Sequence, residues 1–202
     1  MKAKGILFRM VTAVFLISTL LFSSVSISIA ADDGADGVYD QAAQYDSYKK
    51  GLSEYILTVS PGVGTVMAEQ MAEKFIASGK AHGVEPKLLM AISKHESRFS
   101  SGATARDGGI GLMQVMPGMG RRFGASRESL YDPQTNIDVG ASVLAANMRT
   151  FNGDWNKALA AYAYGEGRVK KGRYTLTHAN RFQGTYYQIK EFLAARGYPT
   201  AA

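Results

Sequence analysis

The sequence has 202 residues, of which 46% are hydrophobic and 20% charged, a balance typical of one ordinary globular domain rather than a disordered chain. It has no cysteine, which excludes disulfides, a lipid-modified cysteine, thiolate metal sites and a cysteine nucleophile. The net charge is +6, and three of the 23 basic residues but no acidic residue lie in the first thirty positions. Residues 31–202 therefore carry 20 − 17 = +3, which is too little to indicate nucleic-acid binding.

Residues 1–30 have the pattern of an export signal. A basic start precedes an apolar run from Val11 to Phe22, and Ser28-Ile29-Ala30 provides small residues for cleavage before Ala31. The run is short for a membrane span, which needs about 20 apolar residues, so cleavage is favoured over an uncleaved anchor. We therefore predict an exported chain, periplasmic or extracellular and associated with the cell wall, with no membrane span after cleavage.

Residues 31–62 are predicted to be an N-terminal lead-in that is partly flexible. Tyr45 to Leu57 could form a helix that packs onto the domain, and Ser60-Pro61-Gly62 would end it. Residues 63–202 are then predicted to form one domain.

Two helices are predicted at the start of that domain. Apolar residues recur at three- and four-residue spacing from Val63, and Gly79 to Gly83 end the run. The repeat consists of Val66, Met67, Met71, Phe75 and Ile76. Pro86 suits the first turn of the next helix, which runs to Glu96.

Loops and three more helices follow. A glycine-rich loop is predicted over residues 102–111, with one small hairpin around residues 108–115, and a second loop over residues 126–136, in which Asp132-Pro133 forms a turn. Helices are predicted over residues 137–148, 155–164 and 179–196. No stretch alternates with period two, so the predicted fold class is mostly α.

Glu96 is the first candidate for chemistry. It lies four residues after Ile92 and seven after Leu89, so all three share one face of a helix. A carboxyl on an apolar, inward face is partly desolvated, which raises its pKa toward the range that a general acid needs at neutral pH. The alternative is a glutamate at a helix end that only meets solvent or caps a neighbour.

Other catalytic classes find little support. His95-Glu96 would begin a zinc-protease motif, but the second histidine that this motif requires is replaced by Phe99, and His82 and His178 are distant in sequence. A Gly-x-Ser-x-Gly elbow is absent, and residues 108–111 lack the Gly-Lys-Ser/Thr of a phosphate loop. No metal and no cofactor are predicted.

Four segments together carry a family resemblance. They are Glu96-Ser97-Arg98-Phe99; Gly109 to Pro117 (GIGLMQVMP); Tyr131-Asp132-Pro133 with Asn136-Ile137 and Gly140; and Ala158 to Tyr162 followed by Gly165 to Val169. In this order and spacing they strongly resemble the soluble lytic transglycosylase (SLT) family, whose fold is related to goose-type lysozyme. The resemblance covers roughly residues 84–187 and implies a mostly α, lysozyme-like single domain with a substrate cleft.

The resemblance also implies roles for individual residues. Glu96 corresponds to the family's single catalytic acid/base, and Tyr162 to the tyrosine that helps to orient it. Substrate-binding positions implied by the resemblance are Ser97, Gly111, Met113, Gln114, Tyr162 and Tyr187. The implied reaction is non-hydrolytic cleavage of the MurNAc-β-1,4-GlcNAc bonds of peptidoglycan to 1,6-anhydroMurNAc ends.

The sequence departs from the family at three places and leaves alternatives open. Ala105 and Ala163 replace the family's serine and asparagine, and Gln183-Gly184 replaces a Glu-Thr pair. A muramidase that adds water, with Asp107 holding that water, and a catalytically weak glycan-binding module are the rival interpretations. A wall-opening role in a secretion or conjugation apparatus is a third, although nothing in the sequence identifies such a partner.

Overall fold

The computed structural model describes residues 33–201, and the side chains of residues 40–201. The predicted signal peptide lies outside the described residues. Eight α-helices occur in the part of the chain that is described. They are α1 (Asp33–Val59), α2 (Thr65–His82), α3 (Pro86–Ser97), α4 (Pro117–Arg122), α5 (Pro133–Thr150), α6 (Trp155–Tyr164), α7 (Glu166–Lys170) and α8 (Thr177–Ala195).

The prediction of a mostly α fold is confirmed. In place of the predicted hairpin at residues 108–115, the described residues contain two isolated bridges, Thr104 with Ile110 and Ile110 with Val115. Within residues 33–201, no helix combines the length and the apolarity that crossing a bilayer requires.

Helix α3 is the centre of the fold. Its residues 87–93 are all buried, and it packs against α2, α5 and α8. Five of these seven residues, Leu88 to Ile92, are apolar, and a helix segment that is apolar around its circumference is stable only when other elements cover every side. The last turn of α3 emerges from that cover, so Glu96, the one carboxyl within Pro86–Ser97, is partly exposed at the edge of the core.

Local sequence signals explain most helix ends. Pro86 occupies the first turn of α3, while Gly83 ends α2 in the left-handed conformation (φ 67°) that a glycine adopts without strain. The carboxylate of Asp154 accepts a hydrogen bond of 3.0 Å from the backbone N–H of Lys157 and so caps α6, whose predicted bounds are confirmed.

The predicted loop over residues 126–136 is wrong at its C-terminal end. Asp132 caps a helix, accepting a 2.8 Å hydrogen bond from the N–H of Thr135, and Pro133 is the first residue of α5. An aspartate followed by proline starts a helix as readily as it makes a turn. The N–H groups of the first turn have no acceptor within the helix, so proline, which has no N–H, loses nothing at that position.

Two further differences concern the N-terminal region. Helix α1 extends beyond the predicted residues 45–57, and its side chains Tyr48, Leu52 and Ile56 are buried in the same core as α2 and α3. The boundary at residue 63 therefore crosses a continuous core. On α2, Val66 is 70% and Met67 36% exposed, so the predicted apolar face is wrong for this first turn.

Candidate active site

The site begins where α3 ends. Arg98 (φ 53°) and Phe99 (φ 62°) are both left-handed, although neither is glycine. Such a conformation is unusual and is maintained only by surrounding contacts. Here the turn returns Phe99 to the core, where it is fully buried with its ring edge-on to Phe75, and leaves Glu96 and Ser97 at the edge of the core.

The environment of Glu96 changes its acidity. Burial, and secondarily the negative charge of Asp107, raise the pKa of Glu96 from 4.5 to about 7. Desolvation disfavours the ionised carboxylate because the surrounding protein replaces water without supplying equivalent hydrogen bonds. At neutral pH both protonation states are therefore populated, as an alternating acid and base requires.

A loop formed by residues 110–114 faces the end of α3. The Ser97 hydroxyl donates a 2.7 Å hydrogen bond to the Leu112 carbonyl, and the Tyr162 hydroxyl donates one of 2.9 Å to the Met113 carbonyl. Burial, and secondarily the Glu96 charge, raise the pKa of Tyr162, so this phenol remains a neutral donor. Two hydroxyl groups from α3 and α6 thus attach the loop beside Glu96.

The placement of Met113 corrects one prediction. Its side chain is fully buried, and a Cβ on Gly140 would lie 2.4 Å from its sulfur. In this structure the Met113 side chain fills the core beneath the loop and cannot contact a glycan. Only its backbone belongs to the site.

Gly111 is also a packing position. It is buried with a φ of 73°, and a Cβ there would lie 2.4 Å from Nδ2 of Asn136. Its missing side chain is explained by this close approach, and contact with substrate stays a prediction.

Gln114 is partly exposed and holds its own loop together. Its Nε2 donates to the Gly111 carbonyl at 2.9 Å, and its backbone is left-handed (φ 49°). Tyr187 is 58% exposed on α8, with its ring edge-on to Tyr186 at 5.2 Å between centroids. Both side chains are accessible, and their contact with substrate stays a prediction.

A cavity of about 290 Å³ borders the site. Gln114 and Tyr162 line it, together with residues of α4, α5 and the junction of α6 and α7, whereas Glu96 is not part of its wall. Ala163, one of the departures from the family pattern, also lines this cavity, while Ala105 lies in the exposed loop. Of these two positions, only Ala163 therefore lies beside Gln114 and Tyr162 in the cavity wall.

His95 points away from this group. Its Nε2 lies 2.8 Å from the Thr185 hydroxyl of α8, which fixes the imidazole on another side of α3. Among residues 33–201 no cluster of three or more histidine, aspartate and glutamate side chains has the proximity needed to bind a metal ion.

Sequence reasoning assigned no role to Asn136. This residue lies at the start of α5, and its side chain is fully buried. Its Oδ1 accepts a 2.8 Å hydrogen bond from the Met113 N–H, and its Nδ2 donates to the carbonyls of Ile110 and Leu130 at 2.8 and 2.7 Å. The available signal was an asparagine directly before the isoleucine that begins an apolar repeat. Such a position indicates burial, and a buried amide needs hydrogen-bond partners.

Comparison with known proteins gives consistent matches. Residues 73–181, more than half of the chain, match the family model described as the transglycosylase SLT domain. A protein named transglycosylase from Enterobacteria phage PRD1 is 32% identical over 114 residues, which cover 56% of this chain and 42% of the phage protein. Membrane-bound lytic murein transglycosylase D of Escherichia coli (strain K12) is 35% identical over 91 residues, covering 43% of this chain and 20% of that protein.

Among solved structures, an inactive mutant of the lytic transglycosylase Slt from Pseudomonas aeruginosa aligns with a TM-score of 0.49 and 25% identity. The alignment covers 82% of this chain and 30% of the other. The chain thus spans less than half the length of each of these three proteins.

Proposed function

We propose that this chain, which belongs to the transglycosylase SLT family, is a lytic transglycosylase that cleaves the β-1,4 bond between MurNAc and GlcNAc in peptidoglycan. The observation that carries the proposal is the position of Glu96, half-buried at the end of α3 with a pKa raised to about 7. Two of the family's motif segments lie beside the end of α3: the 110–114 loop is bound to Ser97 through the Leu112 carbonyl, and Tyr162 of α6 is bound to the Met113 carbonyl.

In the proposed reaction, one carboxyl acts twice. Protonated Glu96 gives its proton to the glycosidic oxygen while the bond from that oxygen to C1 of MurNAc breaks. The resulting carboxylate takes the proton of the C6 hydroxyl, whose oxygen bonds to C1 and closes the 1,6-anhydro ring. Glu96 is again protonated, and no water is consumed.

The surrounding residues have supporting roles in this proposal. The acetamido group of the substrate stabilises the oxocarbenium-like transition state. Gln114 would hold that group; since its Nε2 is bonded to the Gly111 carbonyl, its amide oxygen is the atom that would accept from the acetamido N–H. Tyr162 and Ser97 fix the loop, and Tyr187 offers an exposed ring to a sugar face.

One observation favours a second candidate, a muramidase. The usual glycoside hydrolase needs two carboxylates, and the charge of Asp107 is near enough to raise the pKa of Glu96. Asp107 also accepts a 3.3 Å hydrogen bond from the Gly109 N–H, so its carboxylate is oriented within the loop. In a hydrolase this group would hold the attacking water.

Mass spectrometry of the products tests these alternatives. Purified wild-type protein should release muropeptides with anhydro ends from cell-wall sacculi, whereas reducing ends would identify a hydrolase. Glu96→Gln should release none, and Glu69→Gln, which replaces an exposed glutamate of α2, should match wild type. Equally poor release by wild type and Glu96→Gln, with both retained on sacculi, would identify a glycan-binding module.

We also propose that the chain acts in the cell envelope, with peptidoglycan as its partner. The substrate exists only outside the cytoplasm, and the pattern of residues 1–30 fits export.

A further inference from the structure

The peptide unit between Leu112 and Met113 is held from both of its ends. Its carbonyl accepts the Ser97 hydroxyl at 2.7 Å, and its N–H donates to Oδ1 of Asn136 at 2.8 Å. A peptide unit is planar, so its carbonyl and N–H cannot rotate independently. Asn136 and Ser97 therefore fix the same rigid group from opposite directions.

Asn136 is itself fixed in three directions. Its Nδ2 donates to the carbonyls of Ile110 and Leu130, and the absence of a side chain on Gly111 leaves room for the amide. Leaving one of these buried polar atoms without a partner would cost about 1–3 kcal/mol, so the arrangement is strongly preferred over alternatives. The orientation of the loop is thus defined by α5, which does not itself carry the catalytic group.

From these contacts we infer that Asn136 is a positioning residue for Glu96, acting through the Leu112–Met113 peptide unit. Ser97 follows Glu96 directly and depends on the Leu112 carbonyl, and Tyr162 depends on the carbonyl of Met113, the next along the chain. If the peptide unit rotates, the Ser97 hydroxyl loses its 2.7 Å acceptor and keeps only the Ser93 carbonyl at 3.3 Å, and the adjoining Met113 carbonyl, which binds Tyr162, is displaced. The part of this inference that concerns turnover rests on the proposed function.

The expected effect is on turnover rather than on binding. A displacement of about 1 Å at a reacting group can reduce the rate by roughly 100-fold. Asn136 is fully buried and cannot contact the glycan, so we expect its loss to lower kcat by about 10- to 100-fold and to change KM less, because KM can change only through the displaced loop.

The first experiment compares Asn136→Ala with Ser78→Ala. Ser78 is a matched control because it is also buried and its hydroxyl donates a 3.0 Å hydrogen bond to Asp138, which joins α2 to α5 away from the loop. Both variants are assayed on soluble glycan strands well below their Tm. The Glu96 carboxyl is also titrated by NMR, a readout that general loss of stability does not move.

Asn136→Ala should lower kcat and displace the titration of Glu96, whereas Ser78→Ala should lower only Tm. The inference is overturned if the two variants give the same kcat and the same titration. Because the titration needs no turnover, it tests the positioning of Glu96 even if the wild type proves inactive, in which case the proposed function fails separately.

A double-mutant cycle with Ser97→Ala tests the shared peptide unit. If both residues act on one rigid group, the double variant should be no more than about 2-fold slower than the slower single variant. Losses that multiply would contradict the inference. Should Asn136→Ala fail to fold, Gly111→Ala replaces it, since its Cβ must displace the Asn136 amide; unchanged kcat and titration there would also contradict the inference.

Discussion

Replacing Glu96 with glutamine should stabilise the protein, and the gain should depend on pH. The pKa of Glu96 is about 7 in the folded chain and near its ordinary value of 4.5 when unfolded. The folded state therefore binds the proton more tightly. The stability that this proton confers on the folded state is fully present below pH 4.5, is lost as the pH rises through 7, and is absent above pH 7.

The size of the effect follows from the same values. The folded and unfolded pKa values of Glu96 differ by 7 − 4.5 = 2.5, and each pKa unit corresponds to about 1.4 kcal/mol. Ionised Glu96 therefore costs up to about 3 kcal/mol of folding free energy above pH 7. A glutamine does not ionise and avoids that cost. For a domain of this size the gain corresponds to an increase in Tm of roughly 6–12 °C.

Thermal unfolding of wild type and Glu96→Gln between pH 4 and 8.5 measures this gain. The difference in Tm should be small at pH 4, grow between pH 4.5 and 7, and stay constant at higher pH. Glu69→Gln controls for removal of an exposed carboxylate from α2. A difference in Tm that does not change with pH, or that matches this control, would refute the reasoning that burial raises the pKa.

Three further predictions concern the surroundings of the Glu96 carboxyl. Asp107→Asn removes a negative charge, the smaller of the two causes that raise the pKa of Glu96. The alkaline limb of the pH–kcat profile should therefore move to lower pH by less than half of the difference between 4.5 and about 7. This movement should shrink at high salt. Tyr162→Phe leaves the Met113 carbonyl without its donor, and kcat on glycan strands should fall at least about 10-fold, while unchanged turnover would show that this hydrogen bond is dispensable. Gly140→Ala places a methyl 2.4 Å from the Met113 sulfur and should lower the free energy of unfolding, measured by urea titration, by about 1–3 kcal/mol. Gly184→Ala is the control, because its Cβ would meet open space and should not destabilise the protein. Equal stabilities of the two variants would contradict the buried placement of Met113.

The sequence by itself determined the elements that local chemistry controls. Pro86 and Gly83 define helix ends because ring geometry and the absence of a Cβ act on the residue itself and its immediate neighbours. The spacing of Leu89, Ile92 and Glu96 placed a carboxyl on an inward face, because 3.6 residues per turn is a property of every α-helix. These signals also gave the mostly α class.

Only the tertiary structure decided how the site is assembled. The hydrogen bond between Asn136 and the Met113 N–H joins residues 23 positions apart, and that between Tyr162 and the Met113 carbonyl joins residues 49 apart. Such contacts depend on how α3, α5 and α6 pack, and residue spacing within one helix carries no information about them. For the same reason the sequence could not show that the Met113 side chain turns into the core, because its direction follows from the space that Gly140 leaves on another helix.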